Sequence, residues 1–252
     1  MTTPIALITG GNRGLGRNAA LALARRGTDV VLTYRGNAAE AAAVVATIKA
    51  LGRKAAALPL DLAAPAGIPN FVDQLRSTLR EHFGAERFRY LLNNAGAGDN
   101  AAFAETTSAQ FDLLMNVHLK SPFFLTQGLL PLLEDGGRIL NVSSGLTRFS
   151  MPGYVAYATM KGAIEVLTRY LARELGARGI SVNTIAPGAI ATDFGNGAVR
   201  DNPEFNRLVG SMTALGRAGL PDDIGPVMAA LLSEETRWIN GQRVEASGGM
   251  LL

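Results

Sequence analysis

Tyr157 and Lys161 stand four residues apart in the run Tyr157-Ala158-Thr159-Met160-Lys161, with the pair Ser143-Ser144 upstream. On a helix an i, i+4 pair shares one face. A phenol has an ordinary pKa near 10, so proton exchange near neutral pH requires a shift of about three units, roughly 4 kcal/mol. An ammonium about 4 Å away, in a medium of effective dielectric near 20, supplies about that much. With 5 tyrosines and only Lys49, Lys54, Lys120 and Lys161 as lysines, chance would produce such a pair about 0.08 times. The residue types and spacing therefore describe a tuned acid/base. The alternatives are a packed aromatic with a satisfied hydroxyl for Tyr157 and a turn residue for Ser144.

A second cluster, Thr9-Gly10-Gly11-Asn12-Arg13-Gly14-Leu15-Gly16, follows the first apolar run. Glycines between a strand and a helix let backbone N–H groups approach a pyrophosphate at the helix N-terminus. At the end of the second strand, where an acidic residue would hold the free ribose hydroxyls of an unphosphorylated dinucleotide, the chain reads Thr33-Tyr34-Arg35. Arg35 and Arg13 can bracket a 2′-phosphate instead, which points to NADP(H). Charge distribution agrees: residues 1–54 hold 8 basic and 2 acidic residues, although the whole chain is only +3. The alternative is that both arginines are solvated surface cations.

The elements that must carry these groups alternate along the chain. Short β-rich runs at about 4–9, 29–34, 54–59, 88–93, 137–143, 180–186 and 242–246 predict strands. Leu15–Arg26, Ala38–Leu51, Ile68–Phe83, Ser108–Leu133, Tyr154–Arg178 and Pro221–Leu232 predict helices, several followed by a glycine (Gly27, Gly52, Gly84, Gly179). This is the pattern of an α/β fold: a Rossmann-like doubly wound parallel sheet of about seven strands with helices on both faces, in a single domain over 1–252. Residues 188–216, rich in Gly, Ala and Asn, are expected to form a mobile substrate lid.

Composition excludes several functions. With 0 cysteines there is no disulfide framework or thiolate chemistry, and the 2 histidines, His82 and His118, lack metal-site spacing, so no metal is expected. His118, two positions from Asn116, is expected to point elsewhere on the helix and to be structural. The basic excess is too dispersed for a nucleic-acid arm, and no uninterrupted run of 18 apolar residues suggests a membrane span. A cytoplasmic protein acting on a small molecule, without nucleic acid or membrane, is the expectation.

These motifs, spread over nearly the whole chain, resemble the short-chain dehydrogenase/reductase family in its single-domain branch of about 250 residues. The resemblance also rests on Asp61-Leu62, Asn93-Asn94-Ala95-Gly96, Asn116, the Ser144 to Tyr157 spacing, and Pro187-Gly188 followed by Thr192. It implies that Tyr157 gives a proton to a carbonyl oxygen held by Ser144 while the nicotinamide delivers hydride, or the reverse for an alcohol. It implies that Lys161 binds the nicotinamide ribose and lowers the Tyr157 pKa, and that Asn116 holds a water linking Lys161 to solvent. It places the cofactor against Thr9, Gly10, Asn12, Arg13, Gly14, Leu15, Gly16, Tyr34 and Arg35, then Asp61 and Leu62 at the adenine. Asn93, Ala95 and Gly96 follow as a backbone passage, with Tyr157, Lys161, Pro187, Gly188, Ile190 and Thr192 at the nicotinamide end. A homotetramer packed through the helices near 108–133 and 154–178 is also implied. The chain departs from the family in reading Ala246-Ser247-Gly248-Gly249, where many members carry an Asp before the glycines.

Ligands of open α/β sheets bind beyond the strand C-termini, so Ala97–Asn100, Leu146–Tyr154 and Ala189–Val199 should wall the substrate. Leu146, Phe149, Met151, Tyr154 and Phe194 suit an apolar or aromatic carbonyl compound, unless they are simply core. Arg148 either meets a substrate carboxylate or faces solvent. Two rivals stay open. One is a 3-oxoacyl-[acyl-carrier-protein] reductase, opposed by the acidic Glu134-Asp135 before the fifth strand but partly favoured by Arg178. The other is a non-enzymatic NADP(H)-binding sensor on the same fold.

Overall fold

The structure, a computed structural model, describes residues 3–252. The apolar and β-branched runs pair as β1 (Ile5–Ile8), β2 (Asp29–Tyr34), β3 (Ala55–Pro59), β4 (Phe88–Asn93), β5 (Leu133–Val142), β6 (Ser181–Pro187) and β7 (Arg243–Ala246). Every ladder is parallel, in the order β3-β2-β1-β4-β5-β6-β7. The chain builds outward from β1 to β3, then returns to lay β4 on the other side of β1. That reversal opens a crevice above the carboxyl ends of β1 and β4.

Side chains alternate between two cores. On β1, Ala6 and Ile8 enter the layer under α1 (Gly14–Arg25), α2 (Ala38–Ala50) and α9 (Pro221–Leu231), while Ile5 and Leu7 enter the opposite layer. That second layer holds α3 (Ile68–Thr78), α5 (Ser121–Leu129) and the end of α6 (Val155–Glu174). A buried polar ladder runs along the second layer: Asn93 donates to Thr126 Oγ1 and Asn141 Oδ1 at 3.1 and 2.8 Å, Asn141 to Thr168 at 2.9 Å, and Thr184 to Thr168 at 2.8 Å. Every member is satisfied, which makes the chain of bonds a registry device for β4, β5, β6 and α6.

Strand ends agree with the sequence to within about a residue except at β5, which starts at Leu133 rather than 137. Leu133 pairs with Phe88, and the register then jumps to Arg138 opposite Tyr90. The intervening bulge needs a glycine, since a Cβ on Gly137 would lie 2.7 Å from Glu134 O and 2.8 Å from Arg89 O.

The continuous helix expected over Ser108–Leu133 is broken. α4 (Ser108–Met115) gives way to a wide turn at Asn116–Lys120 before α5 begins, and a tight turn closes Leu130–Leu132. Pro122 has no N–H to continue the ladder, and the Ser121 N–H reaches back to the Asn116 carbonyl instead. The helix expected over Ile68–Phe83 likewise ends at Thr78, with a wide turn to Phe83 and Gly84 in the left-handed region at φ 70°. α6 ends at Glu174, followed by a tight turn to Arg178.

Residues 188–216 carry more structure than their composition suggests. Asn202 caps α8 (Pro203–Ser211), with Pro203 opening it, and the four-residue α7 (Ala198–Asp201) precedes it. The segment is pinned at both ends by bridges from Ile190 to Gly219 and from Thr213 to Met250.

Candidate active site

A cavity of about 500 Å³ follows the carboxyl edge of the sheet from Tyr34 and Arg35 to Phe205 and Met212. Its first end is the glycine turn. Gly10 and Gly14 adopt φ of 64° and 55°, and a Cβ on Gly16 would lie 2.2 Å from Gly10 O. The amide of Asn94 donates to the carbonyls of Thr9 and Gly10 at 2.9 and 3.2 Å, locking the turn to the loop after β4. Arg13 precedes α1 without a side-chain cap, and the first helical turn holds no acid, so its N–H groups are left for an anion. Arg13 and Arg35 are exposed at this end, and neither enters an ion pair among the described residues. These features fit a phosphorylated dinucleotide: a backbone cradle for the pyrophosphate and two uncommitted guanidiniums beside Tyr34.

Of the expected cofactor residues, Gly10, Asn12, Arg13, Gly14, Leu15, Tyr34, Arg35, Asp61, Leu62, Ala95, Gly96, Pro187, Gly188, Ile190 and Thr192 line the cavity. Thr9, Gly16 and Asn93 stand behind it. The Thr9 hydroxyl accepts from the N–H groups of Asn94 and Ala95, Gly16 packs under Gly10, and the Asn93 amide belongs to the polar ladder. Sequence reading missed Glu40, which accepts from Asn12 Nδ2 at 2.8 Å. It comes from the first turn of α2, with no motif to flag it.

At the other end α6 brings in Tyr157 and Lys161 on one face, both buried. Lys161 Nζ donates to Val142 O at 2.7 Å and sits 5.5 Å from the Tyr157 ring centroid. Burial lowers the Lys161 pKa to about 7. Burial also raises the Tyr157 pKa, and the Ser144 hydroxyl pulls it partly back. The expected depression of the phenol by the lysine is thus reversed here, because the cost of burying a phenolate exceeds what a lysine turned toward a carbonyl returns.

The two serines have separate jobs. Both line the cavity: Ser143 Oγ donates to Glu165 Oε1 at 2.6 Å, whereas Ser144 Oγ accepts from Leu146 N at 3.2 Å and turns its hydroxyl to the Tyr157 phenol. Asn116 does not line the cavity. Its side chain donates to Ala63 O at 3.3 Å, and its carbonyl serves the wide turn.

That turn also relocates His118. The extra residue rotates the imidazole into the cavity wall, edge-on to Tyr157 with ring centroids 5.0 Å apart. Its Nε2 lies 2.7 Å from Ala97 O and 3.3 Å from Ala97 N, while Nδ1 is buried without a partner. Burial, then Lys161, pushes its pKa down to about 3, so the ring is neutral.

Leu146, Phe149, Met151, Tyr154 and Phe194 line the substrate end as expected, joined by α8 through Phe205 and Val209 and by Met250 near the C-terminus. Arg148 neither meets this cavity nor stands free. It grips Glu245 at 2.8 and 2.7 Å and the carbonyls of Leu251 and Met250 at 2.7 and 2.5 Å. Ser247, which precedes the paired glycines, donates its Oγ to Glu245 at 2.8 Å. Among the described residues, no helix is long and apolar enough to cross a membrane, and no cluster of His, Asp and Glu could hold a metal.

A family model described as enoyl-(acyl carrier protein) reductase matches residues 10–251. Hydroxynaphthalene reductase arp2 of Aspergillus fumigatus is 35% identical over 248 residues, covering 94% of this chain and 89% of its own. Tetrahydroxynaphthalene reductase PfmaG of Pestalotiopsis fici is 33% identical over 256 residues, covering 97% and 90%. Among solved structures, the angucycline C-6 ketoreductase LanV with bound NADP superposes with a TM-score of 0.94 at 38% identity, covering 99% of this chain and 96% of its own. A short-chain dehydrogenase from Burkholderia cenocepacia in complex with NADP gives 0.90 at 37% identity, covering 98% of each.

The neutral His118 makes stability depend on acid. The folded pKa is depressed below the unfolded value near 6.5, so the unfolded chain binds the extra proton and stability falls as pH drops from about 6.5 toward about 3. Denaturant unfolding of His118→Gln against wild type should show the variant losing about 2 kcal/mol less between pH 6.5 and 4.5. Parallel pH dependences would mean that His118 is not held neutral.

Proposed function

Because the chain belongs to the short-chain dehydrogenase/reductase family, we propose that it uses NADPH to reduce the carbonyl of an apolar, fused-ring aromatic ketone. The observation that carries the substrate class is the cavity end beside Ser144 and Tyr157, which is walled by aromatic and aliphatic side chains. The nearby arginines are spoken for: Arg148 by Glu245, Arg200 by Asp193 and Asp201. A carboxylate or phosphate on the substrate would find no free guanidinium there. The hydroxynaphthalene and angucycline reductases among the relatives act, by their names, on compounds of this shape.

NADPH, when bound, supplies the hydride. The Ser144 hydroxyl donates to the carbonyl oxygen and fixes it, and Tyr157 gives that oxygen its proton as negative charge develops. The raised phenol pKa keeps Tyr157 in the protonated form that reduction needs. Lys161, lowered to about 7, exchanges its own proton near neutrality and is the natural partner of the ribose hydroxyls. A water held by Asn116 would resupply Lys161 with protons, the role the family resemblance implies. His118 and Phe194, 5.0 and 5.9 Å from the Tyr157 ring, keep bulk water from the phenol. The 188–216 segment closes the substrate end as a lid, and the absence of cysteine suits a cytoplasmic setting.

The carrier-protein reading loses the support of Arg178, which is paired with Asp135 at 2.7 Å, while Glu134 takes Arg89 at 3.2 Å at the start of β5. The sensor reading leaves the Ser144, Tyr157 and Lys161 constellation unused. Assembly goes through the outer faces of α4, α5 and α6, where Phe111, Phe123, Phe124, Val166 and Tyr170 are exposed. On the inner side of α6, Ile164 is buried and Ala156 and Leu171 pack against the core.

Tyr157→Phe should lower kcat for a fused-ring ketone by about 10²-fold or more with NADPH affinity nearly unchanged, and retention of a tenth of the wild-type rate would refute the acid role. Wild type should favour NADPH over NADH at least about tenfold in kcat/KM at low salt, and Tyr34→Asp with Arg35→Ala should reverse the preference. Equal efficiencies in the wild type would make Arg13 and Arg35 ordinary surface residues. Sedimentation at micromolar concentration should give a tetramer, and a lone 26.5 kDa species would exclude it.

A further inference from the structure

Glu165 lies four residues beyond Lys161 on the same face of α6, where the catalytic stripe continues below the cavity. Its Oε1 accepts from Ser143 Oγ at 2.6 Å, Thr147 Oγ1 at 2.8 Å and Arg243 Nε at 2.8 Å. Arg243 stands on β7, the edge strand, and every nitrogen of its guanidinium is used: Nε on Glu165, Nη1 on Glu245 at 2.9 Å and Nη2 on the Ser144 carbonyl at 3.2 Å. Glu245 in turn holds Arg148, whose other bonds fix the carbonyls of Met250 and Leu251. Two arginines and two glutamates balance in charge, and each of the four side chains is at most about a third exposed. The network therefore joins the peptide of Ser144 to the Met250 wall of the substrate cavity, through residues from three separate stretches of sequence.

We propose that Arg243 is a positioning residue for the reaction, setting the Ser144 hydroxyl through its backbone carbonyl and, through Glu245 and Arg148, the Met250 wall. The inference rests on the ketoreductase reading. The geometry requires a planar fork with donors in three directions, and a lysine ammonium at the same place cannot span Glu165, Glu245 and the Ser144 carbonyl together. The local sequence around Arg243 shows only Glu245, because its other partners, Thr147, Glu165 and Ser144, lie 96, 78 and 99 residues away.

The test uses the ketone that wild type reduces with NADPH, so that failure of wild type to reduce any ketone strikes the activity assignment and not this one. Arg243→Met should lower kcat about tenfold or more while the NADPH dissociation constant stays within about twofold, and Arg243→Lys should restore only part of the loss. Its KM for a fused-ring ketone should rise, with KM for a small aliphatic ketone unchanged. In a Ser144→Ala background Arg243→Met should cost less than about threefold further, because a residue that acts by placing the Ser144 hydroxyl has nothing left to place. If Arg243→Met destabilises the fold by stranding Glu165, the charge-balanced Glu165→Gln/Arg243→Met variant carries the same comparison. Wild-type kcat in Arg243→Met, or losses that multiply in the Ser144→Ala background, would overturn the proposal.

Discussion

Burying a tyrosine and a lysine one helical turn apart sets the terms for everything at the reacting end. Each side chain is pushed toward its neutral form, the phenol upward and the ammonium to about 7. A neutral phenol is an acid waiting for a base, which suits a carbonyl oxygen gaining negative charge as hydride arrives. A lysine near its own midpoint can pass a proton on without holding a fixed charge in a low-dielectric site. The neighbourhood complies. Val142 offers a carbonyl to Lys161, Ser144 offers a hydroxyl to the phenol, and His118 is kept uncharged.

The wide turn at Asn116–Lys120 shows how a backbone irregularity builds a site. An uninterrupted helix would carry His118 away from the face that Asn116 presents, and the sequence reading expected that. One inserted residue rotates the imidazole against Tyr157 and leaves the Asn116 carbonyl in a long-range bond to Ser121. Pro122 is the legible cause, since it cannot donate to a carbonyl one turn back. The size and direction of the rotation were not legible, because they depend on how α4 and α5 pack against α6.

The strands, the order of elements and the glycine turn could be read from sequence because each depends on local pattern: apolar runs, glycine at left-handed positions, helix formers between. Beyond the glycine turn and Arg35, the residues at the cofactor end were named through the family resemblance and not through local pattern. What escaped was long-range and electrostatic. Thr9 and Asn93 looked like cofactor contacts because of their place in motifs, yet their side chains hold the loop and the sheet from behind. Glu245 takes bonds from Ser247 and from Arg148, a link visible only when β7 is laid beside the Ser144 loop. Residues 188–216 read as loop because composition registers Gly and Asn but not the pairing of Asn202 with Pro203 that starts a helix.

Charge is distributed along the cavity in a way that sorts ligands by end. At the glycine turn the arginines are unpaired among the described residues, the helix N-terminus is open, and Glu40 is engaged by Asn12 rather than by either guanidinium. At the far end each arginine close to the cavity is tied to a carboxylate, and the wall is mostly aromatic and aliphatic. A phosphorylated dinucleotide therefore gains charge-assisted bonds in one orientation only, with its phosphates at the first end and its reactive ring toward Tyr157. A neutral polycyclic ketone meets little competition from anions for what remains. The ion pairs that remove free charge from the substrate end also stiffen the loop that carries Ser144, so specificity and positioning come from the same set of side chains.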